Sequence, residues 1–186
     1  MPRYFSTTAI VINKKSVKES DLLITLLTPS LGKIVAIAKG VKNIKSTRLG
    51  SLQLGNLIKA HFYSKNNFLW LSESQTIVSF LQTDKSLAQL NLLFYFLEII
   101  NHFIAENQNI EGVFDISCHL VDAINRNQVK TYIQNEILLL HTLGFGTSED
   151  ITQSFNQKNY RACQKLLKNT FESIIEHPLQ SNKLFR

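Results

Sequence analysis

Four cations recur at steps of three in one short stretch, Lys39, Lys42, Lys45 and Arg48, with no carboxylate among them. Such a set can meet successive phosphates of a nucleic-acid backbone, where every neutralised phosphate releases condensed counterions. On a helix a step of three turns the chain by about 300°, so four such residues would fan over roughly half the circumference and form no stripe. Gly40, Asn43, Ser46 and Gly50 predict a loop instead. In a loop the cations can converge, and the Ser46 and Thr47 hydroxyls add donors for phosphate oxygens. Spacing alone leaves a second reading open, a solvated connection that merely keeps its domain soluble.

The distribution of charge bears on that choice. The chain has 186 residues and a net charge of +6. Through Phe80 eleven basic residues, Lys14, Lys15 and Lys59 among them, face only Glu19, Asp21 and Glu73, an excess of eight. The remainder holds nine basic and eleven acidic residues. The basic character therefore belongs to the first part, as expected of an anion-binding surface. Phe62, Tyr63, Phe68 and Trp70 lie in the same part, and rings of this kind can stack unpaired bases while cations meet phosphates. Tyr63 shares a predicted face with Lys59 and His61 and is the best placed of them.

Bond-making chemistry finds little support. His61, His102, His119, His141 and His177 are dispersed, none at a spacing from Cys, Ser and acid that suggests a nucleophilic site. His141 is expected to be a partly buried core or cap residue. A metal nuclease needs about three converging carboxylates beside the basic surface, and only Glu19, Asp21 and Glu73 are available there. No G-x-x-x-x-G-K-[ST] phosphate loop is present. Cys118 and Cys163 are far apart, with no C-x-x-C and no finger-type His/Cys spacing, so neither disulfide nor metal is expected. The expectation is a protein that is not an enzyme and uses no cofactor. "MPRYFSTTAI" lacks the apolar core of a secretory leader, and "LNLLFYFLEII" is far short of a membrane span and holds Glu98. A cytoplasmic location, without membrane contact, is the corresponding expectation.

The elements that must position these residues change character near Phe80. "TTAIVINKK", "DLLITLLT" and "IVAIAKG" are rich in β-branched and aliphatic residues, with turn chemistry in "PSLGK". "NLIKAHFYS" alternates Leu57, Lys59, His61 and Tyr63 against Ile58, Ala60 and Phe62, and "KNN" predicts a hairpin into "FLWLSESQTIVSF". Five short strands predict a small barrel or sandwich, closure removing exposed edges. Beyond Asp84, apolar residues recur at three and four, predicting a helix over 84–107 with Asp84 as its cap. Further helices are predicted within 110–126, 129–146 and 158–177, with Gly144 ending one and Pro178 stopping another, and Glu149-Asp150 in a loop. The fold class is α+β, with a β domain over 1–81 followed by an α-helical bundle over 82–186.

Three blocks in this order, "ESDLLITLLTPSLGKIVAIAKGVKNIKSTRLGSLQ", "NEILLLHTLGFG" and "HPLQSNKLFR", resemble the bacterial recombination mediator family RecO over nearly the whole chain. The stretch between Gly146 and about Tyr160 looks shorter than the family's usual insert. It holds no cysteine, so the zinc ribbon of many relatives is not carried over. The resemblance implies an N-terminal OB-fold that binds single- and double-stranded DNA, then a helical domain. It implies a DNA repair and recombination protein of the RecF pathway, without an active site and associated with the nucleoid. Such a protein anneals complementary strands and, with RecR, loads the RecA recombinase onto DNA coated by single-strand-binding protein. The family's basic residues after "AKG" fall on Lys39, Lys42, Lys45 and Arg48, and the DNA-binding set extends to Lys14, Lys15, Lys59 and Tyr63. For the acidic, apolar-ended tail of single-strand-binding protein the candidates are Arg126, Lys130, Leu139 and Leu143. Relatives commonly place arginines just before the Glu-Leu of the second block, where this chain has "YIQN" before Glu136. The competing reading is an OB-fold RNA-binding module of translation or RNA turnover, for which the same charges would serve.

Overall fold

Extended, apolar-rich segments build the first part of the molecule, whose computed structural model describes residues 4–17, 19–43, 46, 48–80, 85–176, 178, 179 and 181. Its strands are β1 (Tyr4–Ser16), β2 (Leu22–Thr28), β3 (Gly32–Ala38), β4 (Leu57–Lys65) and β5 (Phe68–Val78). They form a closed barrel in the order β1-β2-β3-β5-β4. β1 is long enough to serve two neighbours, pairing antiparallel with β4 along Tyr4–Ile10 and with β2 along Ile10–Ser16. A register shift between Val11 and Asn13 marks the bend that lets one strand turn a barrel corner. Closure comes from β3 and β5, which run parallel and meet at Ile37 and Trp70. Inward positions carry Ile24, Leu26, Ile34, Ile58 and Phe62, with Ala9, Ala36, Ala38 and Ala60 as the small partners that let large side chains fit.

Two turns fix the register. Asn66 and Asn67 both adopt positive φ, 51° and 62°, the type I′ geometry whose twist matches a two-residue hairpin. Gly32, at φ +63°, closes the β2–β3 hairpin, and a Cβ there would collide with the Gln108 carbonyl. That collision reveals a feature no local pattern announces. The chain divides into two compact units, Met1–Asp84 with Ile104–Asn109, and Lys85–Phe103 with Ile110–Arg186. Within the first unit the Asn107 N–H donates to Lys33 O at 2.7 Å, and the Lys33 N–H donates to Gln108 O at 3.4 Å.

The second unit is helical. Between β3 and β4, in the first unit, sits the single turn α1 (Arg48–Ser51), and the second unit holds α2 (Leu87–Phe103), α3 (Val113–Asn125), α4 (Val129–Thr142), α5 (Glu149–Asn156) and α6 (Tyr160–Ile175). The helix predicted over 84–107 is shorter at its C-terminal end, because residues from Ile104 onward join the barrel unit. Asp84, expected to cap it, lies outside the described residues. Ser86 does the capping: the Gln89 N–H donates to its Oγ at 3.3 Å and the Ser86 N–H donates to Gln89 Oε1 at 3.1 Å, a reciprocal capping box. Beyond the C-cap Leu143 of α4 stands Gly144, at a φ of +92°, with its N–H donating to His141 O at 2.9 Å.

Two further expectations are corrected. Glu149 and Asp150 form the first turn of α5, where their charge suits the helix dipole, and Ser148 Oγ accepts from the Ile151 N–H at 3.4 Å. The helix has only eight residues, too few to show its period against surrounding polar chain. His141 is exposed, its ring Nε2 lying 3.4 Å from Thr147 Oγ1, because the buried faces of α4 are filled by Tyr132, Ile133, Glu136, Leu139 and Leu140. Among the described residues no helix is long and apolar enough to cross a membrane.

Candidate nucleic-acid interface

The chain leaves the barrel where β3 stops at Ala38, and hydrogen bonds of the backbone N–H groups hold residues 40–43. Asp21 Oδ1 accepts the Gly40 N–H at 2.8 Å, the Lys42 N–H donates to Ser20 O at 3.1 Å, and the Asn43 N–H turns back to Gly40 O at 3.2 Å. Asp21 is 9% exposed, so one of three acids of the basic region is a loop anchor rather than a metal ligand. Lys39 is exposed and Lys42 half-buried. Lys45 and Thr47 lie outside the described residues.

Arg48 behaves differently from the cation imagined in a free loop. It opens α1, and its guanidinium donates to three carbonyls, Lys39 O at 2.6 Å, Ser72 O at 3.1 Å and Leu71 O at 3.2 Å. A planar fork reaching both ends of the segment and strand β5 staples the segment to the barrel. Gly40, Asn43, Ser46, Arg48, Ser72, Glu73 and Ser74 line a shallow polar cleft at this place.

The other candidates fall into two groups. Lys14 and Lys15 lie toward the end of β1. Lys14 is half-buried, Nζ donating to Gln53 Oε1 at 2.6 Å, and burial lowers its pKa; Lys15 is exposed. Lys59, His61 and Tyr63 share the outer face of β4, with Lys59 and His61 exposed and Tyr63 half-buried, as the alternation predicts. Phe62 points inward at 1% exposure, so it belongs to the core. Phe68 is 59% exposed beside the hairpin and Trp70 is half-buried. Tyr4, passed over in the sequence, faces Tyr63 across β1 and β4 and is 69% exposed. Nothing local marks it, since the pairing joins residues at opposite ends of the barrel sequence.

The four residues considered for a protein partner are not brought together. Arg126 is exposed and ion-paired to Asp122 at 2.9 Å, and Lys130 is exposed in the first turn of α4. Leu139 is wholly buried and Leu143 half-buried, and at ~1.5 Å per residue they stand about 14 and 20 Å along the axis from Lys130. A separate groove lies between α2, the start of α4, and α6: Leu92, Tyr95 and Val129 line it beside Arg161, Lys165 and Lys168. Those cations recur at steps of four and three along an amphipathic helix.

A closed five-stranded barrel in the order β1-β2-β3-β5-β4, followed along the chain by a helical unit, is an OB-fold. Residues 1–80 match the family model described as "Recombination protein O N terminal". The chain is similar to "DNA repair protein RecO" of Thermoanaerobacter sp. strain X514, 28% identical over 70% of this chain and 53% of the relative. It is likewise similar to the RecO proteins of Dehalococcoides mccartyi strain CBDB1, 32% identical over 77% of this chain and 58% of the relative, and Clostridium kluyveri, 32% identical over 78% and 58%. Residues 1–80 are thus similar to the N-terminal domain of RecO proteins, and the chain spans little more than half the length of the curated relatives it matches.

Proposed function

We propose that this protein is a DNA-binding factor of recombinational repair, acting as a mediator. The barrel binds single- and double-stranded DNA through Lys39, Lys42, Lys45, Lys14, Lys15 and Lys59. With its cationic surface between them, two complementary strands lose much of their phosphate repulsion and can meet. Annealing is downhill once strands touch, so no cofactor or bond-making group is needed. Arg48 serves this function indirectly, by holding the loop that presents Lys39 and Lys42. The groove beside Arg161, Lys165 and Lys168 would take the acidic, apolar-ended tail of single-strand-binding protein, cations meeting carboxylates and Leu92 and Val129 meeting the apolar end. RecA loading in company with RecR follows from the same reading.

The observation that carries the proposal is the excess of eight positive charges confined to a barrel of RecO type. The test is fluorescence strand annealing on DNA coated with single-strand-binding protein, comparing the chain with a Lys39→Ala, Lys42→Ala, Lys45→Ala variant. The chain is expected to accelerate annealing, and the variant to lose most of the effect. The variant's log–log salt slope of binding should fall by about 0.9 per lost contact on duplex, or ~0.7 on single strands. An unchanged slope would remove the loop from the interface.

A further inference from the structure

The outer face of β1, β4 and β5 carries an aligned row of rings. Register places Tyr4 opposite Tyr63 and Tyr63 opposite Trp70, so three aromatic residues from three adjacent strands lie side by side. The ring planes of Tyr63 and Trp70 are nearly parallel, 11° apart with centroids 6.2 Å apart, and Tyr4 follows at 6.2 Å and 35°. The indole is held, because Trp70 Nε1 donates to Lys65 O at 3.4 Å. Beside the row the same registers set Ser6, His61 and Glu73, then Thr8, Lys59 and Gln75, so the face offers polar groups, one cation and one carboxylate next to the rings. Lys65, exposed, closes the hairpin at the other side.

From this arrangement we propose that Tyr4, Tyr63 and Trp70 form a stacking platform for the unpaired bases of single-stranded DNA. The proposal rests on the DNA-binding reading of the barrel and adds how the barrel tells single strands from duplex. Charge commits the occupant: the rings sit on the domain with the cationic excess, which draws a polyanion rather than an acidic or apolar protein surface alone. Ring spacing commits its state. Bases in a duplex rise ~3.4 Å per step and cover one another's faces, whereas rings 6.2 Å apart can each take a base only when the strand is stretched and its bases unstacked. Single strands satisfy that condition and duplexes do not.

Trp70 is the only tryptophan of the chain and reports directly on the platform. At low salt the full chain is titrated with labelled oligothymidylate, and separately with its duplex with oligodeoxyadenylate, following DNA anisotropy and Trp70 emission together. Single strands are expected to quench Trp70 as anisotropy rises, and duplex to raise anisotropy with little quenching. Tyr63→Ala should weaken single-strand binding about 5- to 150-fold, the loss of one base stack, and leave duplex binding near its original level. Tyr63→Phe, which keeps the ring, should restore it. Anisotropy without Trp70 quenching, equal quenching by duplex, or a Tyr63→Ala variant that folds and binds unchanged would overturn the platform while DNA binding stands. No anisotropy change with either DNA would overturn the DNA-binding reading itself.

Discussion

Replacing Glu136 by glutamine separates the charge of that side chain from its shape. Glu136 lies on α4 at 1% exposure, and its Oε1 accepts the Tyr95 hydroxyl of α2 at 2.7 Å. Oε2 meets no hydrogen-bond partner among the described residues. Tyr132 on its own helix and Cys163 on α6, both buried, are the other titratable groups that feel it, and Glu172 acts on Tyr95. Burial raises the carboxyl from 4.5 to about 8, against a smaller opposing pull from the Tyr95 hydrogen bond. A neutral carboxyl suits a buried site where, among the described residues, no cation is paired with it. From pH 4.5 to about 8 the folded chain then keeps a proton that the unfolded chain has released. Stability therefore falls as pH rises through that window and levels off above it. At ~1.4 kcal/mol per unit, the fall is about 5 kcal/mol at most, comparable with the whole stability of many domains. Urea unfolding followed by helical circular dichroism from pH 5 to 9 measures it. The wild type should weaken steadily toward pH 8, while Glu136→Gln should be nearly level and the more stable of the two at pH 8.5. At pH 5 the variant should be equal or weaker by ~1–3 kcal/mol, the cost of any amide N–H left without a partner. Parallel curves for the two proteins, or a variant weaker than wild type at pH 8.5, would refute a neutral buried Glu136.

Two other substitutions test the barrel. Gly32→Ala combines a left-handed backbone with a collision against the Gln108 carbonyl, and should cost ~2–5 kcal/mol in urea unfolding; a wild-type midpoint would mean that 104–109 does not pack on this turn. Arg48→Lys keeps the charge but cannot fork to the carbonyls of Lys39, Leu71 and Ser72, and should lower barrel stability by about 1–3 kcal/mol. Unchanged stability with weaker DNA binding would make Arg48 a phosphate contact instead of a staple.

Local signals carried much of the architecture. Alternation in Leu57–Lys65 placed Lys59, His61 and Tyr63 outside and Ile58, Ala60 and Phe62 inside, and the paired asparagines placed the hairpin. The three- and four-residue recurrence found α2, α3, α4 and α6, but missed α5, whose eight residues span barely two turns. The candidate site was legible as a list of cations and rings, not as an arrangement. Nothing in the run 39–48 says that Arg48 bonds to β5, and nothing near Tyr4 says that it stands beside Tyr63.

By itself, then, the sequence determined which segments become strand or helix, which face of each is apolar, and that the cationic excess belongs to the first 80 residues. These properties depend on side chains a few positions apart, where steric preference and hydrophobic period act. Only the tertiary structure decided that β1 serves two neighbours, that 104–109 returns to the barrel, and that Tyr4, Tyr63 and Trp70 form one row. It also decided that Glu136 is sealed against Tyr95. Each of these depends on register and closure between distant parts of the chain, and a pairing shifted by one residue would turn the same side chains to the opposite face.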